Sequence, residues 1–376
     1  MFAALVCCTL LASPSYQGKV KRPDAPAQQH RKAGLTDATT LAVSLQREAE
    51  ALCRRGAAAL ARLQNESGDF DLGRDTRNPA PIAVSALATL ALLSTGEVPA
   101  RTRFGRNVEL GALYLLRHQD RSKGAKHGYI GIGDDKYSKM HGHGYATLAL
   151  AQLVGMLPDR TSAVVTQKQV RTGLRDAVAL IQRCQDPHTG GWSYDPVARD
   201  HEGSMTVCMV QALRAAKDAG VLVDYAVIKR ALGYVSSSQK PDGSFRYQLG
   251  SENSSTALTA AAVMTLNATG DWQSDVLRKG MAYLTDQSSI LRDGLMRRFP
   301  GRFPYYERLY VGEALFTAPE QDTFKRWFAR LVRQMSTTIE PRTGTWKSES
   351  YGRAYATAMT VLVLSLPLQY LPIHQR

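Results

Sequence analysis

Six times along this chain a glutamine is followed, after a short gap, by a glycine and then an aromatic or large apolar residue. The fullest copy runs Arg230-Ala231-x-x-Tyr234-Val235-x-x-x-Gln239-x-x-x-Gly243-x-Phe245. Others run from Gln64 to Gly68 and Phe70, from Gln185 to Gly190 and Trp192, and from Gln334 to Gly344 and Trp346. Looser copies link Gln119 to Gly128 and Tyr129, and Gln287 to Gly294 and Met296. The glycines lie 50 to 62 residues apart. A period of that size means stacked supersecondary units, none of which can bury its apolar face alone.

Between these loops, two kinds of helical segment alternate. Val170–Gln185, Ala226–Gln239, Val276–Gln287 and Phe324–Met335 carry apolar residues at three- and four-residue spacing, with Arg, Lys and Asp on the other face. Ile82–Leu93, Tyr145–Val154, Ser204–Leu213, Thr256–Leu266 and Tyr355–Leu364 are small and apolar all round, so they must be covered on every side. An inner ring of buried helices inside an outer ring of amphipathic ones satisfies both. An open solenoid would need polar capping repeats, and the last repeat (Ala356–Leu366) is as apolar as the middle ones. The expected fold is therefore all-α, an (α/α)6 toroid of six hairpins spanning residues 41–376. In each loop the glutamine is expected to satisfy free backbone groups. The glycine supplies a positive-φ turn, and the aromatic staples neighbouring repeats.

Residues 2–13 form one short apolar run that reads as a secretory leader ending near residue 16, although a basic segment before it is missing. Residues 17–40 are rich in Pro, Ala, Gln and basic side chains and read as a flexible linker. Export follows as an expectation, with no transmembrane span. The formal net charge of +14 and pI near 9.6 favour acidic partners. Nucleic acid is excluded as a partner, because neither zinc-finger spacing nor an RNP-like strand occurs. Beyond the leader, Cys53, Cys184 and Cys208 are an odd number without a Cys-x-x-Cys.

The stretch from Arg230 to Phe245 resembles, almost position for position, the squalene-cyclase Gln-Trp repeat: basic, small, aromatic, aliphatic, then Gln, Gly and an aromatic. Lys279-Gly280-x-x-Tyr283-Leu284-x-x-Gln287 matches its first half. Over roughly residues 45–370 the chain thus resembles the terpenoid cyclase and protein prenyltransferase superfamily. The resemblance implies an α/α toroid whose central cavity opens where the inner helices begin. The Asp-x-Asp-Asp acid of the cyclases and the Asp-x-Cys zinc motif of the prenyltransferases do not occur, so neither activity carries over by motif. No cofactor is implied, and a partner subunit is not identifiable.

In a toroid, the segments before the inner helices line the cavity mouth, and here they are polar. Asn78, Asp200, Ser204, Ser254 and Ser255 are suited to capping. His143 and His201 are candidate acids or bases; Tyr306, Tyr310 and Tyr355 are candidate proton or hydrogen-bond donors; Arg353 is a candidate clamp for a carboxylate or phosphate. Asp200, Glu202 and Glu307, with Arg297, Arg298 and Arg302 in an arginine-rich stretch, are candidate ligand contacts. His141, His143 and His201 would be the ligands of an alternative metal site. Helix N-termini around the mouth should favour anions. Three functions stay open: binding or conversion of an apolar or anionic-headed lipid-like ligand, a non-catalytic exported peptide- or glycan-binding module, and a polysaccharide-lyase-like enzyme using His, Tyr and Arg of the rim.

Overall fold

A computed structural model describes residues 41–70, 80–133, 135, 138–157, 164–268, 273–286, 303–348 and 350–375. The leader, the linker and Asn78 lie outside these residues, as do Arg297, Arg298, Arg302 and the Gln287–Met296 copy of the repeat. Twelve α-helices are present among the described residues: α1 (Val43–Leu63), α2 (Pro81–Ser94), α3 (Gly105–Arg117), α4 (Met140–Leu153), α5 (Gln167–Arg183), α6 (Gly203–Asp218), α7 (Tyr225–Ser237), α8 (Thr256–Ala268), α9 (Asp275–Asp286), α10 (Pro304–Thr317), α11 (Asp322–Thr338) and α12 (Gly352–Leu364). No helix among them is long and apolar enough to cross a membrane.

The even-numbered helices pack α2 on α4, α4 on α6, α6 on α8, α8 on α10, α10 on α12, and α12 back on α2. That last contact closes the ring. Each later odd-numbered helix packs outside its even-numbered predecessor, while α1 packs against α12 and α11. The first helix thus completes the last hairpin. Every inner helix with a described interior buries nearly its whole surface; in α2 all residues from Ile82 to Ser94 are buried. Their abundant Ala, Gly, Ser and Thr let backbones approach, and hydroxyls buried there are returned to the helix itself, as Thr89 to the Ser85 carbonyl.

The repeat is a clasp between successive outer helices. Gln64, Gln119, Gln185 and Gln239 each donate from the side-chain amide to two carbonyls. One belongs to the loop glycine and the other to the first turns of the next outer helix: Asn107, Gly173, Val227 and Val276, each at 2.8 Å. Arg230 adds the reciprocal bond, donating through Nε and Nη2 to Gln185 Oε1 at 2.9 and 2.6 Å. The glycine is obligatory twice over. Gly190 has φ +82°, and a Cβ on it would lie 2.4 Å from the Arg230 carbonyl oxygen.

Two readings of the repeat change. In the second repeat the chain returns at Ile130, fully buried and bridged to Gln119, rather than at Tyr129. In the last, Gln334 lies inside α11 with its Oε1 buried and unpartnered, and the turn is made by Glu340 and Gly344, mirroring Asp186 and Gly190. Ile339 therefore stands where the other repeats place glutamine.

Candidate functional site

The first two turns of all six inner helices, with four loops, surround one cavity of about 300 Å³. From α2 come Ala83, Val84 and Leu87, from α4 His141 and Tyr145, from α6 Ser204, from α8 Ala257 and Leu258, from α10 Tyr306 and Glu307, and from α12 Tyr355 and Met359. Tyr194, Tyr247, Phe303 and Tyr351 close it from the loops. Aliphatic side chains come mainly from α2 and α8, and six phenols from the other helices and the loops. Ser138, His141 and Ser204 make one side polar, and Ser255 and Glu307 are the other polar lining groups.

Local sequence explains why these side chains stand where they do. Pro at the first position starts both α2 and α10, where no N–H is needed. At α6 the cap is Glu202, not Asp200 or Ser204: its carboxylate accepts from the Ser204 and Met205 amides at 3.2 and 2.9 Å and from Ser204 Oγ at 2.6 Å. Burial raises the Glu202 pKa against the opposing pull of those three donors. Before α4, Asp135 accepts from the Ser138 amide at 2.7 Å and from the Ser138 hydroxyl. Ser255 caps α8 through the Leu258 amide at 3.1 Å, as its sequence suggests.

His141 faces the cavity. Its Nε2 lies 3.4 Å from Ser204 Oγ, and its ring meets that of Tyr194 edge-on. Burial pushes its pKa down to about 4, so the imidazole is neutral near pH 7. Burial likewise pushes Tyr145, Tyr306 and Tyr310 well above the usual phenol value, and raises Tyr194 and Tyr355. These tyrosines are therefore neutral donors and apolar surfaces, and the phenolate base that a lyase uses is disfavoured. The Tyr306 hydroxyl is buried without a partner; Tyr310, one turn along α10, donates to Gln211 at 3.3 Å. Gln211 reaches Glu313, which pairs with His374 at 3.1 Å, so the C-terminal turn Pro372–His374 plugs the ring beneath the cavity.

Of the residues singled out from sequence, Tyr306, Tyr355 and Glu307 line the cavity and Tyr310 lies just behind it. His143 does not. It is fully buried between the rings, accepting from the Ile130 amide at Nδ1 (3.0 Å) and donating from Nε2 to the Ala177 carbonyl (3.2 Å). His201 is bonded to the Tyr234 hydroxyl at 3.0 Å, outside the inner ring. Asp200 is exposed, and neither it nor Arg353 is among the lining residues. The metal arrangement of His141, His143 and His201 is not assembled: among the described residues no three His, Cys, Asp or Glu side chains form a metal-binding group. Cys53, Cys184 and Cys208 are free and buried, the first pushed up to about 12 by burial. Sequence reasoning did not single out Ser138, Tyr194 and Tyr247, which lie outside the helices and have no periodic signal. His141 reads from sequence as one of several polar rim residues and as a possible metal ligand, but not as the acid or base.

With this geometry in hand, likeness to known proteins can be placed. Among solved structures, a variant of the type II terpene cyclase MstE from Scytonema in complex with merosterolic acid A superposes with TM-score 0.54 at 15% identity, covering 89% of this chain and 100% of that one. A GH76A alpha-1,6-mannanase from Salegentibacter gives 0.58 at 8% identity, covering 86% and 99%. A reducing end xylose-releasing exo-oligoxylanase gives 0.55 at 12%, covering 87% and 93%. At such identities the likeness speaks to fold alone. No curated protein sequence matches the chain. The family described as the prenyltransferase alpha-alpha toroid domain matches residues 38–222 and 136–296, and the chain belongs to that family.

Proposed function

We propose that this protein binds an elongated apolar molecule of prenyl type in its central cavity. The observation that carries the reading is the convergence of all six inner helices on one concave space with aliphatic and aromatic walls. Its volume of about 300 Å³ sits at the lower end of small-molecule pockets. A toroid of similar fold, MstE, is known with geranylgeranyl dihydroxybenzoate as substrate at TM-score 0.51, which supports the choice of ligand class. The chain lacks the acid and zinc motifs that would name a reaction, so the reading stops at binding.

Glycan binding is the second reading, favoured by six lining tyrosines and by the likeness to two glycan-processing toroids. Hydrolysis uses a carboxylate pair, and among the described lining residues Glu307 is the single carboxylate.

The test is a titration of purified protein with C15 and C20 isoprenoids and, separately, with manno- and xylo-oligosaccharides. Isoprenoid binding lost on Ala83→Phe or Ala257→Phe, each of which places a ring in the cavity, is the expected result. Binding of the sugars alone, or isoprenoid binding unchanged in both variants, would sink the proposal.

A further inference from the structure

The cavity's polar side is built from two copies of one device. Ser138 and Ser204 both line the space, and both are almost wholly buried. The hydroxyl hydrogen of each is held by a carboxylate set behind the wall: Ser138 donates to Asp135, and Ser204 donates to Glu202 at 2.6 Å. A serine ordinarily presents one donor and two acceptor lone pairs. With its hydrogen committed to a carboxylate, it presents acceptor capacity alone. His141 fits the same polarity. Because Ser204's own hydrogen points at Glu202, the 3.4 Å contact puts His141 Nε2 in the donor role to Ser204 Oγ, and the Tyr194 hydroxyl also lies within hydrogen-bond reach of that side chain, so Ser138 keeps the more open acceptor.

The electrostatics agree. Helix N-termini around a mouth would ordinarily attract an anion. Here that potential is already answered from within the protein. Glu202 takes the first amides of α6, and Asp135 sits just before α4. Both carboxylates are buried, at 4% and 5% exposure, directly behind this wall. An incoming carboxylate or phosphate would meet the carboxyl groups of Asp135 and Glu202 behind the wall and of Glu307 in it, with no Lys or Arg among the described lining residues. An incoming O–H or N–H would meet oxygen lone pairs made more basic by the carboxylates behind them.

From this we infer that the ligand's polar end is a hydrogen-bond donor, an alcohol or an amine, seated on Ser138 and Ser204, and not a carboxylate or diphosphate. The inference rests on the apolar-ligand reading above and names the head group of that ligand. It replaces the anionic head that the helix N-termini alone suggested.

The experiment compares probes with one tail and different ends on the full chain: farnesene, farnesol, farnesylamine, farnesoic acid and farnesyl diphosphate, each by equilibrium titration near pH 7.5. Farnesol or farnesylamine is expected to bind about tenfold tighter than the acid and the diphosphate. Ser138→Ala and Ser204→Ala are each expected to weaken the alcohol about three- to tenfold while leaving farnesene unchanged. Ser204 also meets the α6 cap, so its variant is melted alongside, and Ser138→Ala and the wild-type series stand independently of it. Tighter binding of the acid or diphosphate overturns the inference, as does equal binding of farnesene and farnesol, and both leave the apolar-ligand reading intact. Failure of every probe, farnesene included, overturns both.

Discussion

His143 makes the clearest quantitative prediction, because both its ring nitrogens are committed and its side chain is fully buried. Nδ1 accepts from the Ile130 amide and Nε2 donates to the Ala177 carbonyl, which fixes the neutral tautomer. A proton on Nδ1 would break the first bond and place a charge between the rings, and burial accordingly lowers the pKa from 6.5 to about 4. A histidine whose folded pKa is depressed leaves folding unaffected above its unfolded value and costs stability as pH falls below it. Taking these two values, the loss between pH 7.5 and pH 5 is about 2 kcal/mol, tending toward about 3 kcal/mol below pH 4. The other repeats show which substitution isolates the effect. Thr206, Thr259 and Thr357 occupy the same place, accepting from the amides of Trp192, Phe245 and Trp346. His143→Thr keeps the acceptor and removes the titration. Urea unfolding of wild type and variant at both pH values gives the readout, and His141 and every other titrating group cancels in the difference. The stability gap between the two proteins should shift in the variant's favour by about 2 kcal/mol on going to pH 5. A gap independent of pH would refute the assignment of His143 as a buried neutral clasp.

Other substitutions probe the repeat itself. Gly190→Ala should destabilise by about 2 kcal/mol or more, since it adds a Cβ at positive φ against the Arg230 carbonyl, whereas Gly233→Ala, in α7 with open space at its Cβ, should stabilise by about 0.5–1 kcal/mol. Both are read by the same urea melts, and equal effects would remove the special role given to the loop glycine. Gln185→Ala should cost about 1–3 kcal/mol by removing the donor to the Gly190 carbonyl and the second donor to the Val227 carbonyl and by depriving Arg230 of its acceptor. Hydrogen exchange should then quicken at the start of α7 before it does in α6. Trp346→Phe removes a buried donor from the Met335 carbonyl and should cost about 1 kcal/mol plus the smaller ring's lost contacts, measured by thermal unfolding.

The ring was legible because its signals repeat. A glycine with a following aromatic, returned every 50 to 62 residues, can be checked against itself, and the alternation of wet and dry helices allows few closed arrangements. Legibility failed where one copy departs from the rest. Gln334 satisfied the pattern by letter, yet it sits inside α11, and the turn follows Ile339 five residues later. The fifth inner helix, α10, was hard to read for a related reason. Glu307, Arg308 and Glu313 interrupt its apolar run, and the contacts that let Glu313 be buried come from far along the chain, from His374 of the C-terminal turn and from Gln211.

The site was much less legible, and His141 and His143 show the physical cause. Two residues apart on a helix, they point about 200° apart. One therefore faces the cavity while the other faces outward to the next ring. A surface helix would reveal this by its polar face, but an inner helix is dry on both sides, so its sequence carries no mark of which side is the cavity. Without that mark, the string His141-Gly142-His143 reads as two equal candidates. The missing phase was present elsewhere in the chain. Thr206, Thr259 and Thr357 recur 11 to 14 residues after Trp192, Phe245 and Trp346, and His143 stands 13 after Ile130. Aligning the repeats on that buried acceptor sets the rotation of α4, α6, α8 and α12. The residues turned toward the axis then follow by geometry, with Ser204 on α6 opposite Thr206 just as His141 on α4 lies opposite His143.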